Sequence, residues 1–214
     1  MAYKQVPVWD RFVRFFHWGL VACFAIAYFS TVGAPAWVHN WAGYATVALV
    51  AARIAWGFTG TKHARFFDFV AGPRHVWRYL RAMLHRREPR YIGHNPAAAL
   101  MILFLLAMVT GIGVTGWTLT LDAFWGNDKV EDVHVLLVDI SLATVAIHVS
   151  AAVYESWNHR EDLIWSMVVG TKRETSEDQD RPAIDEPVAD DPHHGNPSLA
   201  TKRGSSVAGT GIPK

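Results

Sequence analysis

The sequence has very little cysteine and few charged side chains. Cys23 is the single cysteine. One thiol excludes an internal disulfide, and a cysteine-based zinc or iron–sulfur site would need more thiols. Charged residues make up 18% of the 214 residues, whereas ordinary soluble domains carry roughly 25%. The composition therefore argues against a disulfide-stapled domain, an iron–sulfur protein and an ordinary soluble domain.

A cleavable signal peptide is also not evident. The first apolar run is preceded by Trp9, Asp10, Arg11 and Arg14, and no small-residue cleavage site ends it. The length suits one domain. We therefore expect the first apolar run to remain part of the folded protein.

Long apolar runs are what the sequence does contain. Hydrophobic residues make up 51% of the chain, and ten of its residues are tryptophan, which favours membrane interfaces. About 20 apolar residues in an α-helix cross a bilayer. Four runs approach this length, and they predict an all-α, transmembrane four-helix bundle with spans at about 12–32, 39–58, 97–117 and 131–156.

The polar segments predict the rest of the architecture. The segment 59–95 is basic, and within it Val76, Trp77, Leu80 and Leu84 share one helical side opposite arginines, which predicts a cytoplasmic amphipathic helix at the membrane surface. Residues 1–173 are expected to form the membrane domain. Residues 174–214 lack apolar periodicity and predict a disordered cytoplasmic tail.

The distribution of Lys and Arg predicts the orientation. Lys4, Arg11 and Arg14 lie at the start of the chain, and the segment 59–95 is rich in Lys and Arg, whereas the loops after the first and third spans hold only Lys129. Basic segments stay on the cytoplasmic side. We therefore expect a multi-pass protein of the bacterial inner membrane with both termini in the cytoplasm.

Two histidines in the fourth span carry the strongest functional signal. His134 and His148 are fourteen residues apart, so on a helix they point from nearly the same face, about 21 Å apart along the axis. Ionisable side chains are costly inside a membrane and usually serve a function there. The alternative is a pair of histidines satisfied by hydrogen bonds within a helix bundle.

Depth in the membrane predicts a partner for each of these histidines. His17 lies at the cytoplasmic end of the first span and His39 at the outer end of the second. The same-depth pairs are therefore His17 with His148 at an inner level, and His39 with His134 at an outer level. Each pair can supply two axial imidazoles to one haem iron. The absence of C-x-x-C-H excludes thioether-linked haem of that type, so we expect two b haems; a zinc site fits less well, because no thiolate or carboxylate joins either pair.

Two arginines are candidates to bind the haem propionates, which need cations at the membrane edge. Arg14 and Arg53 both lie near the level of His17, and Arg53 stands inside apolar sequence. The alternative for Arg53 is a side chain that reaches back to the interface. His94 precedes the third span, where a quinone head group could approach.

Several segments together resemble the bacterial cytochrome b561 family, particularly the branch of b-type cytochrome subunits of nickel–iron hydrogenases. The resemblance implies a four-helix membrane bundle with two b haems, and its ligand histidines match the four selected by depth. EDL at 161–163 departs from the more common RENL, although Arg160 precedes it. The matching segments are VWDRFVRFFHW at 8–18, HNWAGYATVALVAARIAWGF at 39–58, ARFFDFVAGPRHVWRYL at 64–80, RYIGHNPAAALM at 90–101, EDVHVLLVDISLATVAIHV at 131–149 and EDLIWSMVVGTKR at 161–173.

The leading functional hypothesis is electron transfer between the quinone pool and a redox partner, either a hydrogenase, a c-type cytochrome or another periplasmic enzyme. We expect an electron-transfer subunit in contact with membrane lipid and without a nucleic-acid partner. A second hypothesis is a stand-alone membrane oxidoreductase acting on a small molecule such as superoxide or quinone. A third is a haem-free structural or transport bundle.

Overall fold

The computed structural model describes residues 4–85, 91, 93–158 and 160–174. This part of the chain is mostly helical. Four helices are long and three are short, and a single 3-10 turn at Asp122–Phe124 precedes the last long helix. The long helices are α1 (Arg11–Phe29), α2 (Ala36–Thr59), α5 (Pro96–Thr118) and α6 (Asp128–Asn158); the short ones are α3 (Phe66–Phe69), α4 (Pro73–Leu84) and α7 (Leu163–Val169).

Local sequence explains where these helices begin. The Asp10 carboxylate accepts a hydrogen bond of 2.7 Å from the Val13 amide and caps α1. The Asn95 side chain accepts one of 2.7 Å from the Ala98 amide, and Pro96 follows as the first residue of α5. Short polar side chains satisfy amide groups that a helix leaves open at its start, and proline is tolerated there. The sequence pattern of Asn95 followed by Pro96 predicts a helix start at this point, and the structure confirms it for α5.

Three helices are long and apolar enough to cross a membrane: α1, α5 and α6. Few of their side chains are buried inside the protein, as expected for helices that face lipid. The second predicted span is a single helix of 24 residues, α2, but it is not among the three because Arg53 and the polar residues near its start dilute its apolar character. Three of the four predicted spans are thus supported, and α2 as a span stays a prediction.

The long helices pack as neighbours in the order α1, α2, α5, α6. Glycines mark the close approaches on α5. A Cβ on Gly113 would lie 2.5 Å from the Val47 side chain on α2, and a Cβ on Gly111 would lie 3.1 Å from Leu137 on α6. Gly116, one turn later on α5, approaches His134 near the start of α6. The contacts along α5 show its direction: Gly111 meets Leu137, whereas Gly116, further along α5, meets His134, which lies earlier on α6. The helix α5 is therefore antiparallel to α6. It is also antiparallel to α2, so α2 and α6 run parallel to each other.

Two short strands depart from the all-α prediction. The strand β1 (Lys4–Pro7) pairs antiparallel with β2 (Thr171–Glu174), so Lys4 lies opposite Glu174. The sequence analysis missed this pairing, because strands of four residues have too little alternation to recognise and their partners lie more than 160 residues apart. Glu174, expected to start the tail, belongs to β2. The predicted tail from 175 onward lies outside the described residues, and the predicted division of the chain into a membrane domain and a tail stays a prediction.

Contacts next to the strands join the two ends of the described chain. The Trp9 indole donates to the Ser166 hydroxyl at 3.3 Å. Arg14 donates from Nη1 to the carbonyls of Val168 and Val169, at 2.8 and 3.0 Å, at the end of α7. A cation at a helix C-terminus satisfies open carbonyls and complements the helix dipole. Arg14 therefore ties the start of α1 to the end of α7.

The helix α4 occupies the predicted amphipathic segment and packs against α5. Tyr79 is its buried residue, whereas Val76 and Leu80 are half-buried. Trp77 and Leu84, predicted on the apolar side, are 70% and 81% exposed. They border an exposed stripe of three arginines at positions 74, 78 and 81. The exposed face of α4 is thus basic with an apolar edge.

The glycine contacts generate a stability prediction. We expect Gly113→Ala to lower the thermal unfolding temperature of the detergent-solubilised protein, because its Cβ collides with the stiff, β-branched Val47. Gly43→Ala on α2 is the matched control, since no atom lies within 4 Å of its Cβ position. Glycine in a helix interior costs roughly 1 kcal/mol relative to alanine, so the control should be neutral or stabilising. Equal effects of the two substitutions would contradict the close packing of α2 and α5.

Candidate haem site

The outer pair of histidines meets across α2 and α6. The ring centres of His39 and His134 are 6.4 Å apart, and their planes are inclined by 71°. A first-row metal binds an imidazole nitrogen at roughly 2 Å, so two imidazoles on opposite sides of one iron have ring centres about 6 Å apart. The observed spacing fits this requirement. Both rings are half-buried.

Hydrogen bonds define which nitrogen of each outer histidine is free. His39 Nδ1 lies 2.8 Å from the Ala27 carbonyl oxygen on α1. A carbonyl only accepts, so Nδ1 carries the proton and donates it, and Nε2 keeps its lone pair. Metal-bound histidines usually donate their other N–H in this way, which fixes the tautomer and the ring orientation.

His134 has the same arrangement through a hydroxyl. Its Nδ1 lies 2.9 Å from Thr115 Oγ1, and the Thr115 hydroxyl lies 2.9 Å from the Gly111 carbonyl oxygen. Because the hydroxyl donates to that carbonyl, its oxygen accepts from His134 Nδ1–H. The Nε2 of His134 is thus also unprotonated. The helix α5 therefore orients His134 without supplying a predicted ligand.

Gly116 allows this orientation. A Cβ at Gly116 would lie 3.1 Å from His134 Cε1 and 3.5 Å from Nδ1. Contacts this short force the ring to move. The sequence has three glycines near this end of the third span, which predict a close approach of a neighbouring helix or a flat ring, but sequence analysis missed Thr115. A threonine one position before a close-approach glycine was the available signal.

The inner pair joins α1 and α6. His17 lies close enough to His148 for their side chains to interact electrostatically. The Nδ1 of His17 is buried and has no hydrogen-bond partner among the described residues. The Trp18 ring packs edge-on against His17, with centres 5.1 Å apart. The structure thus brings the outer pair together and places the inner pair within electrostatic range of each other, while the coordination of iron by these four histidines stays a prediction.

The number of side chains at each level suits haem better than a bare metal ion. Within the described part of the chain, no group of three or more His, Cys, Asp or Glu side chains is placed to hold a metal ion. A pair of imidazoles is sufficient for haem, since the porphyrin supplies the four remaining nitrogens. The residues present therefore fit haem, and the predicted two-histidine sites are consistent with this donor set.

Arg53 is buried inside the protein. It is 3% exposed, its Nη2 donates to the Ala64 carbonyl at 3.1 Å, and its guanidinium lies 5.2 Å from the centre of the Phe66 ring. Its Nη1 is buried without a hydrogen-bond partner among the described residues. Its hydrogen-bond acceptor, Ala64, belongs to the polar segment that follows α2. Its Nη1 is suited to an anion such as a propionate.

Arg14, the other predicted propionate partner, is engaged elsewhere through one nitrogen. Its Nη1 donates to the two carbonyls at the end of α7, while its Nε is buried without a partner in the described residues. This contact gives Arg14 a structural role in addition to the predicted one. Its contact with a propionate stays a prediction.

His94 lies between two aromatic rings near the start of α5. The centres of the Trp9 and Phe69 rings are 4.6 and 4.8 Å from the His94 ring centre. Burial lowers the pKa of His94, and the positive charges of Lys172 and Arg53 act in the same direction, so that together they bring it to about 3. His94 is therefore neutral at pH 7 and can either donate or accept a hydrogen bond.

Asp10 connects the loops around this end of the helices, a role that sequence analysis missed. Its Oδ2 accepts from Trp56 Nε1 at 3.0 Å and from the Thr61 hydroxyl at 2.7 Å. Burial alone would raise the pKa of Asp10, but these hydrogen bonds and that from the Val13 amide hold it below its ordinary value. Asp10 thus stays charged and is an electrostatic neighbour of the buried Arg53.

Comparison with known proteins supports the family. The profile described as Prokaryotic cytochrome b561 matches residues 8–170. A "Probable Ni/Fe-hydrogenase B-type cytochrome subunit" of Bradyrhizobium diazoefficiens is 30% identical over 162 residues, which cover 63% of this chain and 65% of that relative. A protein of the same name from Rhizobium leguminosarum bv. viciae is 24% identical over 217 aligned positions, covering 79% of this chain and 89% of the relative.

No solved structure matches the chain. The family profile nevertheless covers all four long helices and all four candidate histidines. Three helices have the length and composition of membrane spans, and the spacing of the His39 and His134 rings suits haem. The chain therefore belongs to the prokaryotic cytochrome b561 family of membrane-bound b-type cytochromes.

Proposed function

We propose that this protein is an integral-membrane cytochrome that binds two b haems and transfers electrons between the quinone pool and a redox partner. The observation that carries the proposal is the outer pair, in which His39 and His134 lie 6.4 Å apart with both Nδ1 atoms engaged. Such a pair is prepared for iron before iron binds. Membership of the cytochrome b561 family supports haem b and a role in electron transfer.

Two haems follow from the two histidine levels on α6. His39 and His134 would hold the outer iron, and His17 and His148 the inner one. Fourteen residues of helix separate the two ligands on α6, so the levels lie about 21 Å apart. Two imidazoles on one iron leave no open coordination position. When bound, each haem supplies a reversible one-electron change of its iron, which suits electron transfer better than oxygen chemistry.

The side chains around each level have distinct roles in this proposal. At the outer level, Ala27 and Thr115 hold the Nδ1 protons and aim each Nε2 into the gap. At the inner level, the unpartnered Nη1 of Arg53 would neutralise a propionate, with Arg14 as the second candidate. A buried cation–carboxylate contact is a strong, charge-assisted hydrogen bond. Both arginines lie near the polar ends of their helices, so the inner haem level would also lie near that end.

The quinone is proposed to approach the inner level near His94. Quinone reduction takes up protons as well as electrons, and a neutral imidazole can donate or accept one. His94 is buried at Nδ1, flanked by Trp9 and Phe69, and influenced electrostatically by His148. A flat aromatic head group suits such surroundings. The redox partner would then exchange electrons at the outer level.

The partner is proposed to be a hydrogenase or another periplasmic or membrane redox protein, such as a c-type cytochrome. Both relatives carry the name of a hydrogenase b-type cytochrome subunit. This supports a subunit that works with a partner over a stand-alone oxidoreductase. Purified protein that oxidises quinol with superoxide or another small acceptor, at a full rate and without any partner, would favour the stand-alone alternative.

The membrane placement completes the proposal. The helices α1, α2, α5 and α6 would form the transmembrane four-helix bundle, with both termini on the cytoplasmic side of the bacterial inner membrane. The Lys and Arg distribution supports this orientation. The exposed stripe of Arg74, Arg78 and Arg81 on α4, with Trp77 at its edge, would then lie against anionic lipid head groups on the cytoplasmic side.

The first test of the proposal counts haems. Purified protein should contain about two b haems per chain by pyridine haemochrome assay, and His148→Ala should leave about one, because the outer pair keeps both ligands. The control is His85→Ala, an exposed histidine whose ring bonds the Arg81 carbonyl on α4. A colourless wild-type protein, or loss of the outer haem alone in His148→Ala, would contradict the assignment.

A second test concerns the orientation of His134. Thr115→Val removes the hydroxyl that accepts from His134 Nδ1, and loss of such a supporting contact typically weakens metal binding about 10- to 100-fold. We expect faster loss of one of the two haems to excess apomyoglobin. Thr110→Val is the control, because the exposed Thr110 hydroxyl bonds only the Leu106 carbonyl of its own helix. Identical haem loss in both variants would remove Thr115 from the site.

A third test concerns the lipid contact of α4. Replacing Arg74, Arg78 and Arg81 together by Gln should reduce the anionic phospholipid retained by protein in mixed-lipid nanodiscs, since each basic residue at a membrane surface contributes about 1 kcal/mol. Arg65→Gln is the control, because Arg65 pairs with Asp68 at 2.6 Å. Unchanged anionic lipid retention in the triple variant would show that this face does not contact head groups.

A further inference from the structure

Two hydroxyl groups in the long helices differ from all the others. On α2, α5 and α6, every other serine and threonine hydroxyl donates to the carbonyl one turn earlier on its own helix, as is common for these residues. Thr46 and Ser141 do not, and neither has a hydrogen-bond partner among the described residues. The hydroxyls that bond their own helix belong to Thr59, Thr110, Thr115, Thr118, Thr144, Ser150 and Ser156.

The helical register places these two exceptions at the same level. His39 on α2 faces His134 on α6, and the two helices run parallel. Thr46 and Ser141 each follow by seven residues, which is two turns further along the same face, about 10 Å from the histidines. The next two turns lead to Arg53 on α2 and His148 on α6, and both of these act electrostatically on His94. The same seven-residue step on each helix therefore leads from the outer histidines, through Thr46 and Ser141, to the inner level.

Both residues are buried inside the protein. Thr46 is 6% exposed and Ser141 is fully buried, at 0%. A buried hydroxyl without a hydrogen-bond partner destabilises the folded protein. The two hydroxyls do not bond each other, although the register brings them to facing positions. A small polar ligand between them would satisfy both, and internal waters typically bridge such groups.

We propose that Thr46 and Ser141 bind an ordered water molecule between α2 and α6, midway between the two histidine levels. Each hydroxyl can donate one hydrogen bond to this water or accept one from it. The site does not depend on haem. Its further role rests on the proposed function: it would be a polar bridge within the otherwise apolar gap that separates the two haems.

The experiment is X-ray hydroxyl-radical footprinting with mass spectrometry, in water enriched in ¹⁸O, on the full-length protein in nanodiscs. Radicals formed from a bound water oxidise the side chains beside it even when they are buried. We expect oxidation of the peptide around Ser141 in the wild type and its loss in the double variant Thr46→Val, Ser141→Ala. These substitutions remove both hydroxyls, and neither valine nor alanine has a side-chain group that can bind the water.

Thr144→Val is the matched control. Thr144 is also buried on α6, but its hydroxyl donates to the Ile140 carbonyl of its own helix at 2.7 Å. It should leave the oxidation around Ser141 unchanged. Absence of oxidation in the wild type, or equal oxidation in wild type and double variant, would overturn the water site.

Haem content separates this inference from the proposed function. Neither hydroxyl is a proposed ligand, so the double variant should keep the wild-type haem content. Footprinting that follows the expected pattern in a protein without two haems would retain the water site and refute the di-haem proposal. Two haems in a wild-type protein that shows no oxidation around Ser141 would retain the di-haem proposal and refute the water site.

Discussion

An imidazole in an apolar helix must find partners for both of its nitrogens, and the outer end of this molecule is built around that requirement. His39 satisfies Nδ1 at the Ala27 carbonyl on α1, and His134 satisfies it at Thr115 on α5. In both rings Nε2 is left with its lone pair, at a spacing of 6.4 Å between ring centres. Four helices therefore contribute to one pair of rings, although only α2 and α6 carry the histidines. The two lone pairs are thus left free on rings held in place by other helices, which is the arrangement that the proposed iron ligands require.

The inner end of the molecule differs from the outer end because it contains charged side chains that must be paired or hydrogen-bonded. Arg53 is buried near the charged Asp10, which itself holds α1 and the loop after α2 through Trp56 and Thr61. Arg14 closes the end of α7, and the strands β1 and β2 pair beside it. These polar contacts join segments from both ends of the described chain. Among the residues that the structure describes, the outer end has no such cluster of cations, so the two proposed haem levels would lie in different electrostatic surroundings and have different potentials.

Much of this arrangement could be predicted because it depends on local pattern. Helix lengths, the cap at Asn95 and the fourteen-residue spacing of His134 and His148 are properties of single segments, and the start of α5 is confirmed. Depth in the membrane then predicted which histidines form pairs, because only residues at the same depth can bind one iron. The predicted partners are neighbours in the fold. The status of α2 was less predictable, since a single Arg53 in a helix alters its average hydropathy without preventing it from packing between α1 and α5.

The sequence by itself determined the family, the helical segments and the four candidate histidines, because apolar run length and residue spacing are properties of the sequence. Only the tertiary structure decided which groups support those histidines and cations. Thr115 touches His134 from another helix, Arg14 meets the end of α7, and β1 finds β2. Such contacts depend on side-chain direction and on the rotation of each helix about its axis. The seven-residue steps to Thr46 and Ser141 were readable in the sequence, but their missing hydrogen bonds were visible only after the helices packed.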